Sequence, residues 1–136
     1  IVENGGDIFM QTTKPRQVLV QAGASVFSGR IALAVAPATT PLGICTSSGT
    51  SGHALSFGQA DAALVVAHEA ALADAMATAV GNRVHTARDI DTALAFAASI
   101  PGVLGCLVIV QEHLGVWGAI ELVQIREGEK DVAPNC

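Results

Sequence analysis

The chain has 136 residues, a formal net charge of −5, 51% hydrophobic residues and only 14% charged ones. That length suits one domain with a buried core. Lys14, Arg16, Arg30, Arg83, Arg88, Arg126 and Lys130 are scattered without a basic stripe, which argues against nucleic acid as a partner. No apolar run reaches the roughly 18 residues of a membrane span, so no membrane partner is expected. Three cysteines, Cys45, Cys106 and Cys136, are an odd count without framework spacing and point to a reducing, cytoplasmic compartment. The chain opens on Ile1 rather than Met and reads as a piece that starts within a longer protein.

In chain order, Asp7 to Met10 and Gln17 to Gln21 read as short strands around a Lys14-Pro15 turn. Gly29 to Ala36 alternates large and small residues as a strand. Pro37 to Pro41 reads as a surface connection. Ile44 to Ser47 and Gly52 to Phe57 flank a glycine-serine turn, and Ala62 to Ala67 reads as a buried strand by its apolar run. It feeds a helix over Glu69 to Val80 that Gly81-Asn82 can stop. Thr86 and Asp89 form a capping-box-like start for a second helix, with Ile90, Ala93, Leu94 and Ala97 at helical spacing and Pro101-Gly102 at its end. Val103 to Gln111 and Ala119 to Arg126 read as a closing hairpin whose loop contains Gly115-Val116-Trp117-Gly118. Many strands, two helices and a hairpin with short connections predict an α+β domain: a mostly antiparallel sheet with two helices packed on one face. Residues 1–127 form that single domain, and 128–136 are a polar, frayed tail.

The first segment that bears on chemistry is Ala73-Asp74-Ala75-Met76-Ala77-Thr78-Ala79. Asp74 and Thr78 are four apart, on one face of the helix. At about 100° per residue, Leu72, Ala75, Met76, Ala79 and Val80 make the apolar stripe, and Asp74 and Thr78 stand away from it among alanines. A face so poor in solubilising residues is expected to lie against something. A buried carboxylate there needs a partner, such as a metal ion or a phosphate-bound metal. The alternative is an Asp favoured near a helix start or hydrogen-bonded to backbone.

The second is Cys45-Thr46-Ser47-Ser48-Gly49-Thr50-Ser51-Gly52-His53, rich in hydroxyls and in glycines that let backbone N–H groups face an anion. It suits phosphate, although no Gly-Lys-Ser/Thr makes it a P-loop, and the same composition builds ordinary turns. Cys45 on a strand reads as a small buried hydrophobe rather than a nucleophile. His53, His68, His85 and His113 have no zinc-type spacing. The third segment, Asn4-Gly5-Gly6-Asp7, lets backbone pass close to a ligand or simply turns tightly.

Gly5-Gly6-Asp7-Ile8, Thr46-Ser47-Ser48-Gly49, His53, Leu64-Val65-Val66-Ala67 and Ala73-Asp74-Ala75-Met76-Ala77-Thr78-Ala79 occur in an order that resembles the ApbE-like family, the FAD:protein FMN transferases. The resemblance covers roughly Val2 to Asn82. The run from Cys45 to Gly58, with Trp117-Gly118-Ala119-Ile120-Glu121-Leu122, is nearer to an uncharacterised cytoplasmic branch of that family. The resemblance implies one half of an ApbE-like fold, FAD as ligand or substrate, and Mg²⁺ held by Asp74 and Thr78. It also implies nucleotide contacts at Gly5, Gly6, Thr46, Ser47, Ser48, Gly49, Thr50 and His53. It implies cleavage of the FAD pyrophosphate or transfer of FMN to a protein Thr or Ser.

Two departures bear on that activity. His53 is followed by Ala54-Leu55-Ser56-Phe57, where the transferases carry an Asp-Pro pair. The family's upstream Lys-Gly half has no counterpart in these residues. The expected partners are therefore a small nucleotide and whatever completes the cleft: a missing N-terminal half, another chain or a second copy. The alternative functions are a nucleotide-binding domain without turnover and a subunit-contact module.

Overall fold

The structure, a computed structural model, describes residues 1–4, 7–49, 58–125 and 133–134. It is α+β, with mostly antiparallel sheets and two helices. The strands are β1 (Val2–Asn4), β2 (Asp7–Met10), β3 (Arg16–Leu19), β4 (Ile31–Val35), β5 (Leu42–Ser47), β6 (Ala62–Ala67), β7 (Val103–Val110), β8 (His113–Gly118), β9 (Glu121–Gln124) and β10 (Ala133–Pro134). Helices α1 (Ala70–Asn82) and α2 (Ile90–Ala98) lie between β6 and β7. A six-stranded antiparallel sheet runs β1-β2-β5-β6-β7-β8, and a four-stranded sheet runs β10-β3-β4-β9. Only the β10–β3 pairing is parallel among the described strands.

The large sheet is the middle of three layers, because its central strands alternate between two cores. On one face Cys45, Ala63, Val65, Ala67, Cys106 and Val108 meet Ala73, Met76, Ala77 and Val80 of α1 and Ile90, Ala93, Leu94 and Ala97 of α2. On the other, Leu42, Ile44, Leu64, Val66, Leu107 and Ile109 meet Val18, Leu33 and Val35 of the small sheet. Every residue of β6 is buried, as its unbroken apolar run predicts. The side chains facing the helices are mostly small. Those facing the second sheet are mostly large, so the helices approach the sheet closely.

At Gly43 the backbone of α1 comes close to the strand. A Cβ there would stand 2.5 Å from Ala70 Cα and 2.7 Å from Ala70 N, so glycine lets the start of α1 sit on β5. The Thr86 and Asp89 signal expected to start α2 caps instead a 3-10 turn, Ala87–Asp89, that runs directly into the helix. Thr86 Oγ1 accepts from Arg88 N, and Asp89 Oδ2 accepts from Thr86 N (3.1 Å) and His85 N (2.9 Å). Ile90, Ala93, Leu94 and Ala97 are the buried face of α2.

Two further expectations are corrected. The stretch around Gly115-Val116-Trp117-Gly118 is strand β8 rather than a loop. It pairs with β7 from Val110↔His113 to Gly105↔Gly118, so the hairpin is β7–β8, while β9 crosses to β4 in the second sheet. Its glycines are there because neighbours fill the space: a Cβ on Gly115 would strike Ile90 Cγ2, and Gly118 has φ +82° with Leu104 O beside it. The buried face of α1 is Ala73, Met76, Ala77, Val80 and Gly81, one position away from the predicted stripe, and Ala75 is exposed. Alternating alanines give the helix little preference of its own, and contact with β5 sets its rotation. In the tail, Ala133 and Pro134 pair with β3.

Ala77 is 2% exposed between α1 and the sheet. Ala77→Leu is expected to overpack the site and lower stability by about 1–3 kcal/mol in chemical denaturation; an unchanged midpoint would contradict close packing there. In the same core, burial pushes the Cys106 thiol up to about 12 from 9.0. The folded state thus keeps a proton that the unfolded state loses, so stability is full below pH about 9 and falls as pH rises toward 12. The slope approaches about 1.4 kcal/mol per pH unit for such a thiol. The chain has no tyrosine, and Lys14, Lys130 and the other thiols also titrate there; Cys45, raised in the same direction, adds a decline of the same sign that Cys106→Ala leaves in place. Denaturant unfolding between pH 8 and about pH 11 should show the decline, flatter in Cys106→Ala; equal slopes would rule it out.

Candidate functional site

The site is built where β2, β5 and α1 meet. Asp7 and Cys45 are direct cross-strand partners in the β2–β5 ladder. Their neighbours Ile8 and Ile44 point into the core between the sheets, so alternation turns Asp7 and Cys45 toward the helix layer. Gly43 seats the first turn of α1 on the same strand, and Asp74 follows one turn later. One ligand atom each from Asp7, Cys45 and Asp74 lies within 4.8 Å of the others. Cys45 Sγ donates to Asp7 Oδ1 at 3.0 Å and approaches Ala70 O at 3.8 Å.

The electrostatics follow from this packing. Burial raises the Cys45 pKa, and the hydrogen bond to Asp7 and the charges of Asp7 and Asp74 push it further in the same direction. The thiol is therefore a proton donor to Asp7 and a poor nucleophile at neutral pH. Cys45 is buried, Asp7 half-buried and Asp74 exposed. Among the described residues neither carboxylate forms an ion pair. The expectation of a buried Asp74 is thus corrected: it stands at the rim of the helix–sheet seam. Nor does it lie in the first turn of α1, which has no acidic residue.

Thr78 is one turn beyond Asp74 on α1 and half-buried, so the pair predicted from spacing does share one helix. The start of the hydroxyl-rich segment lies close by. Ser47 is opposite Ala63, and Cys45 is opposite Val65. Ala63 and Val65 both belong to the core beneath the helices, so Ser47 shares that face with Cys45. Ser47 is 5% exposed, and its Oγ has no hydrogen-bond partner among the described residues. Such a hydroxyl is costly unless something meets it. Thr46 is on the opposite face, and Thr46 and Ser48 both have partners. Gly49 N donates to Ala60 O (3.0 Å), so its N–H is committed to the fold rather than turned to an anion. Gly5, Gly6, Thr50 and His53 lie outside the described residues.

Sequence reasoning missed Asp7 and Cys45 as a pair. Their period-2 alternation with Ile8 and Ile44 signals a shared face, but only the β2–β5 register brings them together. A cleft of about 260 Å³ between Leu33, Val35, Leu42, Val66, Leu104 and Ile120 lies on the other side of the large sheet and takes no part in this cluster. No helix among the described residues is long and apolar enough to cross a membrane.

A family model described as AbpE bacteria matches residues 1–120. Similar proteins include a UPF0280 protein of Methanocella arvoryzae, 42% identical over 120 residues, which cover 88% of this chain and 49% of that protein. Another, from Methanosarcina barkeri, is 40% identical over 124 residues, covering 90% and 49%. A third, from Methanothermobacter thermautotrophicus, is 41% identical over 124 residues, covering 88% and 48%. The chain spans about half the length of these curated relatives. With the match running through β1 to β8 and including Asp7, Cys45, Ser47, Asp74 and Thr78, the chain belongs to this ApbE-like family.

Proposed function

We propose that this chain contributes the cation- and phosphate-binding part of an ApbE-like flavin nucleotide site. In this reading the complete protein cleaves the FAD pyrophosphate or passes FMN to a protein Thr or Ser. The observation that carries the reading is the convergence of Asp74 and Asp7 at the seam where the Ser47 hydroxyl is buried without a partner. Two carboxylates and nearby hydroxyls are hard oxygen donors of the kind that suit Mg²⁺, with Asp74 and Thr78 as its holders. Mg²⁺ bound there supplies charge neutralisation for pyrophosphate oxygens.

The chain's own groups divide the remaining work. Asp74 offers an anionic oxygen at the rim, Thr78 a neutral one a turn further on, and Ser47 Oγ a donor to a phosphate or water oxygen. Cys45, held protonated against Asp7, positions that carboxylate rather than attacking anything. These residues supply a cation and phosphate locus, and the rest of the cleft is assigned to the other half of the protein, a partner chain or a second copy.

A second reading, binding of a nucleotide without turnover, draws on one feature: Ala54-Leu55-Ser56-Phe57 follow His53 where the transferases carry Asp-Pro. The full-length protein separates the two. Calorimetry should show FAD binding that requires Mg²⁺ and is abolished in Asp74→Asn. Chromatography should show release of FMN and AMP by the wild type. Binding without release would favour the second reading, and FAD binding untouched by Asp74→Asn would leave Asp74 with no ligand role.

A further inference from the structure

The cluster contains a donor that the Mg²⁺ reading does not use. Cys45 Sγ lies 3.0 Å from Asp7 Oδ1 and within 4.8 Å of an Asp74 oxygen. Sulfur is a poor ligand for Mg²⁺ and a good one for Zn²⁺ and its neighbours in the first transition row. Thiolate and carboxylate atoms bound to one such ion at about 2.3 and 2.0–2.2 Å stand about 3–3.5 Å apart. The Cys45–Asp7 separation of 3.0 Å is already of that size, and the other pairs, at no more than 4.8 Å, would have to draw together around the ion. The three ligands come from β2, β5 and α1, which explains why the histidine spacing gave no zinc signal.

A second observation points to the same place. Ser47 Oγ is buried and unpartnered among the described residues, on the helix-facing side of β5, two residues from Cys45. Two residues of strand advance about 6.6 Å. A water or phosphate oxygen on an ion at Cys45 therefore comes within reach of this hydroxyl.

We propose that Asp7, Cys45 and Asp74 bind a thiophilic divalent cation of the Zn²⁺ class, with the Ser47 hydroxyl meeting the non-protein ligand that completes its shell. This rests on the reading of Asp74 as a cation ligand, and it makes a thiophilic ion a competitor of Mg²⁺ for that residue. On coordination the S–H bond breaks, the sulfur keeps the electron pair, and the proton leaves to the buffer. No oxidant or reductant is needed. The hydrogen bond between Cys45 and Asp7 in the metal-free protein is replaced by the shared ion, so the proton holds the two ligands in place until the metal arrives.

The test uses metal-free full-length protein carrying Cys136→Ser, titrated with Co²⁺ alone as the probe. A sulfur-to-cobalt charge-transfer band in the near ultraviolet is expected. It should persist in Cys106→Ala and vanish in Cys45→Ser and Cys45→Ala. In competition, Zn²⁺ should displace the Co²⁺ and excess Mg²⁺ should not. Zn²⁺ affinity should fall at least about 10- to 100-fold in Cys45→Ser, the loss typical even of an outer-shell change. Circular dichroism of each variant verifies that it is folded. Absence of the band in folded wild-type protein, or a band that survives in both Cys45 variants, would overturn the proposal. Failure of FAD binding with a Cys45-dependent cobalt band would instead overturn the flavin reading and leave this one standing. Retained Mg²⁺-dependent FAD binding in Cys45→Ser, with the band absent from the wild type, would do the reverse.

Discussion

The seating of α1 on β5 is the constraint from which the rest of the molecule follows. A single Cβ at Gly43 would collide with the backbone of Ala70. Removing it brings the helix down onto a sheet face lined by Cys45, Ala63, Ala67 and Cys106. That closeness fixes the rotation of α1, which its own alanines leave nearly open. The rotation in turn buries Ala73, Met76, Ala77 and Val80 and carries Asp74 to the rim over Cys45. Core packing and candidate chemistry are thus two consequences of one contact. A substitution that lifts the helix should disturb both.

The middle sheet makes this possible by dividing its side chains by size. Leu42, Ile44, Leu64, Leu107 and Ile109 fill the space toward the second sheet, where two twisted sheets need bulk between them. The opposite face is kept shallow for the helices. Among the described residues, Asp7, Cys45 and Asp74 gather on the shallow face where β2 and β5 pass under α1. A ligand held there touches solvent through Asp74 and the protein interior through Cys45 and Ser47.

Much of this was legible in the sequence. The unbroken run of β6, the capping box of Thr86 and Asp89, and the helical spacing of Ile90, Ala93, Leu94 and Ala97 are local signals that the fold uses. Strand β8 was not legible, because Gly115 and Gly118 lower strand propensity for a reason that exists only in three dimensions: Ile90 and Leu104 occupy the space. The α1 stripe was misplaced by one residue because alanine hardly distinguishes a buried face from an open one. At the candidate site, the four-residue spacing of Asp74 and Thr78 put them on one helix, as α1 has them. Asp7 and Cys45 were not legible as a pair, since they are 38 residues apart and meet only through strand register. Ser47 looked like one turn hydroxyl among several until burial without a partner set it apart.

The account's central claim is that one cation locus lies at the seam of β2, β5 and α1. Anomalous diffraction from crystals of the full-length protein grown with Zn²⁺ tests it most directly. The account predicts an anomalous peak within bonding distance of Cys45 Sγ and of carboxylate oxygens from Asp7 and Asp74, with a non-protein atom between the ion and Ser47 Oγ. An ordered Zn²⁺ bound elsewhere, with Cys45 Sγ still donating to Asp7 and no density between them and Asp74, would contradict it.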